Sequence, residues 1–249
     1  MAFLKLTIAY DGTKFSGWQV QPNVPTVQGA LLSAWESITG QRGEMTSASR
    51  TDAGVHAAGQ VVAIETETSL DAQELLSGLN AKLPESVVVL SVQPAPDGFH
   101  ATHDAVGKRY RYQIHNDRVR PVFDRSYVWQ VPRPLDDRAM HRAGQQLLGK
   151  HDFCSFQSAG SERESTVRTL SAVEVHRGQG AQASRVLIEV EGDGFLYNMV
   201  RIIVGTLIEV GRGKRPENWL GDVLQSLDRS AAGPTAPPQG LMLLHVDYE

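Results

Sequence analysis

The chain has 249 residues, 41% of them hydrophobic, and a formal net charge of −4. This suits one large domain or two of ordinary size with a substantial core, and argues against a wholly basic nucleic-acid binder. A single cysteine, Cys154, excludes an internal disulfide and a Cys-rich zinc site, and it receives no role.

The N-terminus reads as a strand rather than a signal peptide. Leu4, Leu6 and Ile8 alternate there with Lys5, Thr7 and Ala9. Asp11-Gly12 marks a turn. Thr26 is an N-cap for a helix with Val27, Ala30, Leu31, Ala34, Trp35 and Ile38 on one face. Residues 44–49 read weakly as a strand and 60–66 more clearly so. A short helix at 71–80 and a strand at 86–93 follow. Strand-helix-strand-strand-helix-strand is the split βαβ order.

The second half begins near Val106. Tyr110, Tyr112 and Ile114 alternate with Arg109, Arg111 and Gln113, giving a strand over 107–115. Residues 116–134 hold four arginines and three prolines and suggest a long, basic, functional loop. A helical pattern covers 135–148. Strands at 168–176 and 185–191 are joined by Arg177-Gly178-Gln179-Gly180. Helices at 195–210 and 216–227, a Pro-rich segment and a strand at 241–247 complete the chain. The expected fold class is α/β of the α+β kind. Two halves, 1–105 and 106–249, would share a mostly antiparallel sheet with helices on one side and a cleft on the other. The richest apolar run, 195–210, is too short to span a bilayer and contains Arg201. A soluble protein of a reducing cytoplasm is therefore expected.

Charge is unevenly spread. Residues 65–104 hold seven acids and one Lys or Arg, whereas 108–142 hold nine Lys or Arg and four acids. A basic block of this kind can track a phosphate backbone or pair with acids elsewhere in the fold. Its members Lys108, Arg109 and Arg111 lie beside Tyr110 and are candidates for holding phosphates.

Ser49-Arg50-Thr51-Asp52-Ala53-Gly54-Val55-His56-Ala57 sets one carboxylate among small residues. Nearby cations favour its ionised form. An accessible ionised aspartate can serve as nucleophile or base, and the same residues also make a helix N-cap or a turn. Arg50 is either a surface cation or a holder of backbone phosphate. His56 reads as a structural hydrogen-bonding residue. Arg201 lies inside a helix apolar almost all round, so a buried guanidinium there needs a partner. That partner is Asp52 or some other acid. Tyr110 and Tyr112 share a strand face and are either core residues or a stacking platform for a base. No His or Cys spacing matches a metal site. Gly211-Arg212-Gly213-Lys214 follows a helix and reads as its C-cap, not as a phosphate loop.

The Arg50–His56 run resembles the signature of the tRNA pseudouridine synthase A family. Four further segments fit in the same order: Tyr10-Asp11-Gly12-Thr13 with Phe15, Gly17 and Trp18-Gln19; Lys108 to Tyr112; Asn198 to Gly205; and Ala236-Pro237, Gly240-Leu241 and Val246 to Tyr248. The resemblance covers essentially the whole chain. It implies isomerisation of uridine to pseudouridine at tRNA positions 38, 39 and 40, in the anticodon stem-loop. Asp52 would be the catalytic nucleophile, Arg201 would orient it, and Tyr110 would contact the substrate base. Arg50, Lys108, Arg109 and Arg111 would hold RNA. The reaction neither gains nor loses atoms, so no cofactor and no metal are expected. Partners would be tRNA and a second copy of the chain, with no membrane.

A non-catalytic RNA-binding module of split βαβ type is the alternative. A carboxylate facing a polyanion is useless to a binder, which favours catalysis. A nucleoside glycosidase would need a second carboxylate close to Asp52, and the motif offers none.

Overall fold

The alternating N-terminal segment forms strand β1 (Ala2–Tyr10), with Leu6, Ile8 and Tyr10 buried. It does so in a computed structural model that describes residues 2–158 and 165–249. Successive strand side chains point to opposite faces, so alternation delivers one face to a core. Helix α1 (Val27–Thr39) starts where the Thr26 side chain accepts the Gly29 N–H, and it ends on Gly40 in left-handed conformation. It buries Val27, Leu31, Ala34 and Trp35, a single helical stripe. β2 (Met45–Ser47) is short and β3 (His56–Thr66) is long. Helix α2 (Ala72–Lys82) is closed at its start by a capping box between Asp71 and Glu74. β4 (Val87–Ala95) follows.

β1 lies between β4 and β3, antiparallel to both, and β2 pairs antiparallel with the other edge of β3. The order β4-β1-β3-β2 is that of the split βαβ unit. β2 covers Val62 to Ile64 of β3. Where it stops, the final strand β10 (Leu241–Tyr248) runs parallel to β3, with Met242 opposite His56. Met242–Glu249 therefore groups with Met1–Val106 as one compact unit, and Gly107–Leu241 forms the other. The first unit also has a second small core. Ala48, Val61, Ala63 and Ala101 pack there with Phe99, Val246 and Tyr248.

The second unit contains β5 (Ala105–His115), β6 (Trp129–Gln130), α3 (Asp137–Gly144), β7 (Gly149–Asp152), β8 (Val167–Arg177), β9 (Arg185–Gly192), α4 (Met199–Gly211) and α5 (Trp219–Ser226). Its sheet runs β5-β9-β8-β7, antiparallel throughout, with β6 added parallel to β5. Tyr110 faces Val190 across the β5–β9 pair, and Tyr112 faces Ile188. Helix α3 packs on β8 and on α4. β6 and β7 are absent from the sequence pattern because two to four residues carry too little alternation. Helix α4 begins later than its apolar run, because Asn198 takes a left-handed conformation (φ 62°) that no helix interior tolerates. Among the described residues, no helix is long and apolar enough to cross a membrane.

Candidate active site

In the first unit, Asp52 sits half-buried on the loop between β2 and β3. The loop turns at once after it. The Val55 N–H donates to the Asp52 carbonyl at 3.1 Å, and Gly54 takes the positive φ (77°) this turn demands. Thr-Asp-Ala-Gly is thus a turn, not a helix cap.

The loop is fixed from outside by the chain that follows β1. The Trp18 N–H donates to the Thr51 carbonyl at 3.0 Å, and the Thr51 and Tyr10 hydroxyls lie 2.7 Å apart. Trp18 is 2% exposed and packs 6.2 Å from the Tyr10 ring. Gly17, at φ 96°, lies directly against the backbone of Thr51, Asp52 and Ala53. A side chain on Gly12 would meet the Val55 carbonyl oxygen at 2.0 Å. Upstream, buried Gln60 accepts the Ser49 N–H at 3.1 Å and donates to the Ser49 carbonyl at 2.6 Å. These contacts hold the backbone at both ends of Arg50-Thr51-Asp52 and leave Arg50 exposed.

His56 is buried at the start of β3, and its Nδ1 accepts the Gly12 N–H at 3.1 Å. Asp11 Oδ1 lies 3.2 Å from the same nitrogen. The first contact needs an unprotonated Nδ1 and the second a protonated one, so a single ring makes one of them at a time. In either state His56 ties the start of β3 to the Asp11-Gly12 turn, a structural task.

The second unit holds the other candidates. Tyr110 is 6% exposed and meets Phe195 edge-on at 5.1 Å. Tyr112 is fully buried, and its hydroxyl donates to the Pro237 carbonyl at 2.7 Å. Burial pushes the Tyr112 phenol well above the usual tyrosine value, against the opposing charge of nearby Arg201. Arg201 Nε donates to the Ala236 carbonyl at 2.8 Å and its Nη1 to Asn198 Oδ1 at 2.7 Å. The Ala236 N–H in turn donates to the Arg201 carbonyl at 3.1 Å. The Ala236-Pro237 segment therefore serves Arg201 and Tyr112 together. Periodicity puts Tyr112 on a strand face as a core or stacking residue, and no local signal points to its tether.

Lys108 is buried. Arg109 Nε donates to Glu189 at 2.7 Å, its Nη1 to Glu191 at 2.9 Å and its Nη2 to Glu174 at 2.7 Å. Arg111 Nε donates to Glu189 at 2.7 Å. Both guanidinium groups, expected to hold phosphates, thus face carboxylates of β8 and β9. The β5–β9 register sets Arg109 opposite Glu191 and Arg111 opposite Glu189, a long-range pairing invisible along the chain. A cavity of about 650 Å³ in this unit, lined by Leu135, Asp136, Arg212 and Arg215 among others, contains none of the candidates. Among the described residues, no group of three or more His, Cys, Asp or Glu is placed to hold a metal ion.

A family model described as tRNA pseudouridine synthase matches residues 6–104 and 143–249. The chain is 44% identical over 248 residues to tRNA pseudouridine synthase A of Myxococcus xanthus, covering 100% of this chain and 92% of that protein. It is 43% identical to the protein of that name in Thermoanaerobacter sp. (strain X514) and 44% to that of Brevibacillus brevis. Each of these two alignments covers both chains completely.

Proposed function

Because the chain belongs to the tRNA pseudouridine synthase family, we propose that it isomerises uridine to pseudouridine at positions 38, 39 and 40 of the tRNA anticodon stem-loop, with Asp52 as the catalytic carboxylate. The observation that carries the proposal is the Asp52 loop. A half-exposed carboxylate stands on a turn whose backbone is held by Gly12, Gly17, Trp18 and Gln60. A rigid frame around one reactive group is what positional catalysis requires, and a passive RNA binder gains nothing from an acid facing phosphates.

The reaction breaks the N1–C1′ glycosidic bond, turns the uracil, joins C5 to C1′, releases the C5 proton and puts a proton on N1. Its atoms balance without a co-reactant. The target nucleotide leaves its stack at a cost of a few kcal/mol. Asp52 acts in its ionised form, by attack on C1′, by attack on C6, or by taking a sugar proton. Arg201 is the positioning cation that orients Asp52, and the hydrogen bonds that fix its guanidinium plane on Asn198 and Ala236 support that role. Tyr110 contacts the reacting base. Arg50, exposed two residues before Asp52, holds RNA backbone. Lys108, Arg109 and Arg111 belong to the same basic strand, and the two arginines hold phosphate in competition with their carboxylate partners. A homodimer working in the cytoplasm completes the proposal, on the strength of the family resemblance.

Tritium release from tRNA labelled at uridine C5 tests it. Wild type should release tritium with no added cofactor. Asp52→Asn should lose at least about 10³-fold in turnover, as nucleophile deletions do, while keeping most of its tRNA affinity. Release by both proteins at similar rates would remove Asp52 from the mechanism. Tight binding without release by either would leave the RNA-binding module.

A further inference from the structure

We infer that residues 19–25 form a lip that packs against the bases next to the reacting uridine; the inference rests on the reading of Asp52 as the catalytic carboxylate. The lip belongs to the same compact unit as Asp52. It begins one residue after a contact with the Asp52 loop itself. The Trp18 N–H donates to the Thr51 carbonyl at 3.0 Å, the Gly54 N–H donates to the Phe15 carbonyl at 3.4 Å, and Gly17 lies against the backbone of Thr51, Asp52 and Ala53. The lip is also closed on itself. The Ser16 N–H donates to the Pro25 carbonyl at 2.8 Å, and Gln21 Nε2 donates to the Ser16 carbonyl at 2.9 Å. Gln28 holds it from helix α1. Its Oε1 accepts the Val20 N–H at 3.1 Å, and its Nε2 donates to the Met45 carbonyl at 3.1 Å. Pro22 and Asn23 turn the segment, with Asn23 at φ 62°.

Every residue from Gln19 to Pro25 is nevertheless exposed. Val20 is 50% exposed and Val24 41%. Among the described residues, nothing bonds to the side chains of Gln19 and Asn23. The chain carries no charged residue between Lys14 and Glu36. One exposed valine needs no explanation. Here a fixed backbone presents two of them, together with two amide side chains, beside the proposed catalytic carboxylate. A surface without charge draws little from a phosphate backbone, whose attraction comes from neutralising cations. Amide side chains suit base edges, and apolar ones suit the faces of unstacked bases. When the target nucleotide leaves its stack, its neighbours lose a stacking partner, and the lip replaces it. Arg50 then takes the backbone in the proposed site, and the lip takes the bases.

The test uses the full chain as the double variants Gln19→Ala/Asn23→Gly and Val20→Ser/Val24→Ser. All four side chains are exposed, and glycine accepts the conformation of Asn23 without strain, so both variants should melt with wild type. Each should need about ten times more tRNA for half-maximal tritium release from uridine C5, the size of one lost base contact. The log–log salt slope of binding should keep its wild-type value, because no cation is removed. Removing the bases instead should give the same loss. Wild type should bind tRNA with abasic nucleotides on both sides of the target uridine about tenfold more weakly, and the lip variants should lose little further on that RNA. Wild-type half-saturation in both variants, or lip and abasic losses that multiply, would overturn the inference. So would lip variants that sediment as monomers where wild type is a dimer, since the lip would then be a contact between copies of the chain. Tritium release by Asp52→Asn at the wild-type rate would instead remove the reading on which the lip rests, whatever the lip variants do.

Discussion

Gly12 has no room for a side chain, since a Cβ there would stand 2.0 Å from the Val55 carbonyl oxygen. The neighbour is backbone and cannot swing aside as the end of a flexible side chain would. Gly12→Ala must therefore push the turn that follows Asp52. Overpacking of this kind typically costs about 1–3 kcal/mol, and we expect that loss in urea unfolding. The same displacement should lower turnover at least about tenfold, because Asp52, the proposed catalytic carboxylate, moves with the turn. A variant that keeps wild-type turnover while losing stability would show that the Asp52 turn does not depend on its buttress. His56 belongs to the same small frame through its contact with the Gly12 N–H. His56 is buried there, as its reading as a structural hydrogen-bonding residue requires.

Strands β5, β8 and β9 show how an element can redirect a charge pattern. Arg109 and Arg111 alternate along β5 with Tyr110 and Tyr112, and the antiparallel register with β9 brings Glu189 and Glu191 across to meet them. Burial pushes the Glu189 carboxyl up, but hydrogen bonds and charge from Arg111 and Arg109 outweigh it. The group ends below its ordinary value of 4.5. The unfolded chain therefore takes up this proton first. Stabilisation from Glu189 is complete above the unfolded value and is lost as pH falls through the lower folded one. Glu189→Gln should cost about 1–2 kcal/mol at pH 7, between the values for an exposed and a buried pair. The difference from wild type should shrink steadily below about pH 4. Equal penalties in urea unfolding at pH 7 and pH 3 would mean that the charge of Glu189 is not what stabilises the fold.

For the molecule as a whole, a net charge of −4 must coexist with binding to a polyanion. Local cations then decide the affinity, and binding to tRNA should weaken steeply with salt. Arg50 is exposed on the loop of Asp52, the proposed catalytic carboxylate. Arg50→Ala should weaken tRNA binding across sequences and lower the log–log salt slope by about one. An unchanged slope would place the phosphate contacts elsewhere on the surface. Strand β10 lies beside the start of β3, where the Asp52 loop ends, with Met242 opposite His56 and Leu243 opposite Ala57.

Much of this was legible one segment at a time. Alternation in β1 and β5, the stripe of α1, the caps at Thr26 and Asp71, and the Arg50–His56 signature all depend on residues within a few positions of one another. Such patterns are written locally, as propensity and periodicity. The tertiary structure alone decided what those segments do for each other. It set Gly12 and Gly17 against a turn some forty residues on, tied Tyr112 to Pro237, gave Arg201 its supports on Asn198 and Ala236, and spent Arg109 on Glu174, Glu189 and Glu191. The reason is physical. A contact between distant residues leaves no mark on the spacing around either one, and its existence depends on strand register and helix packing that only the folded chain possesses.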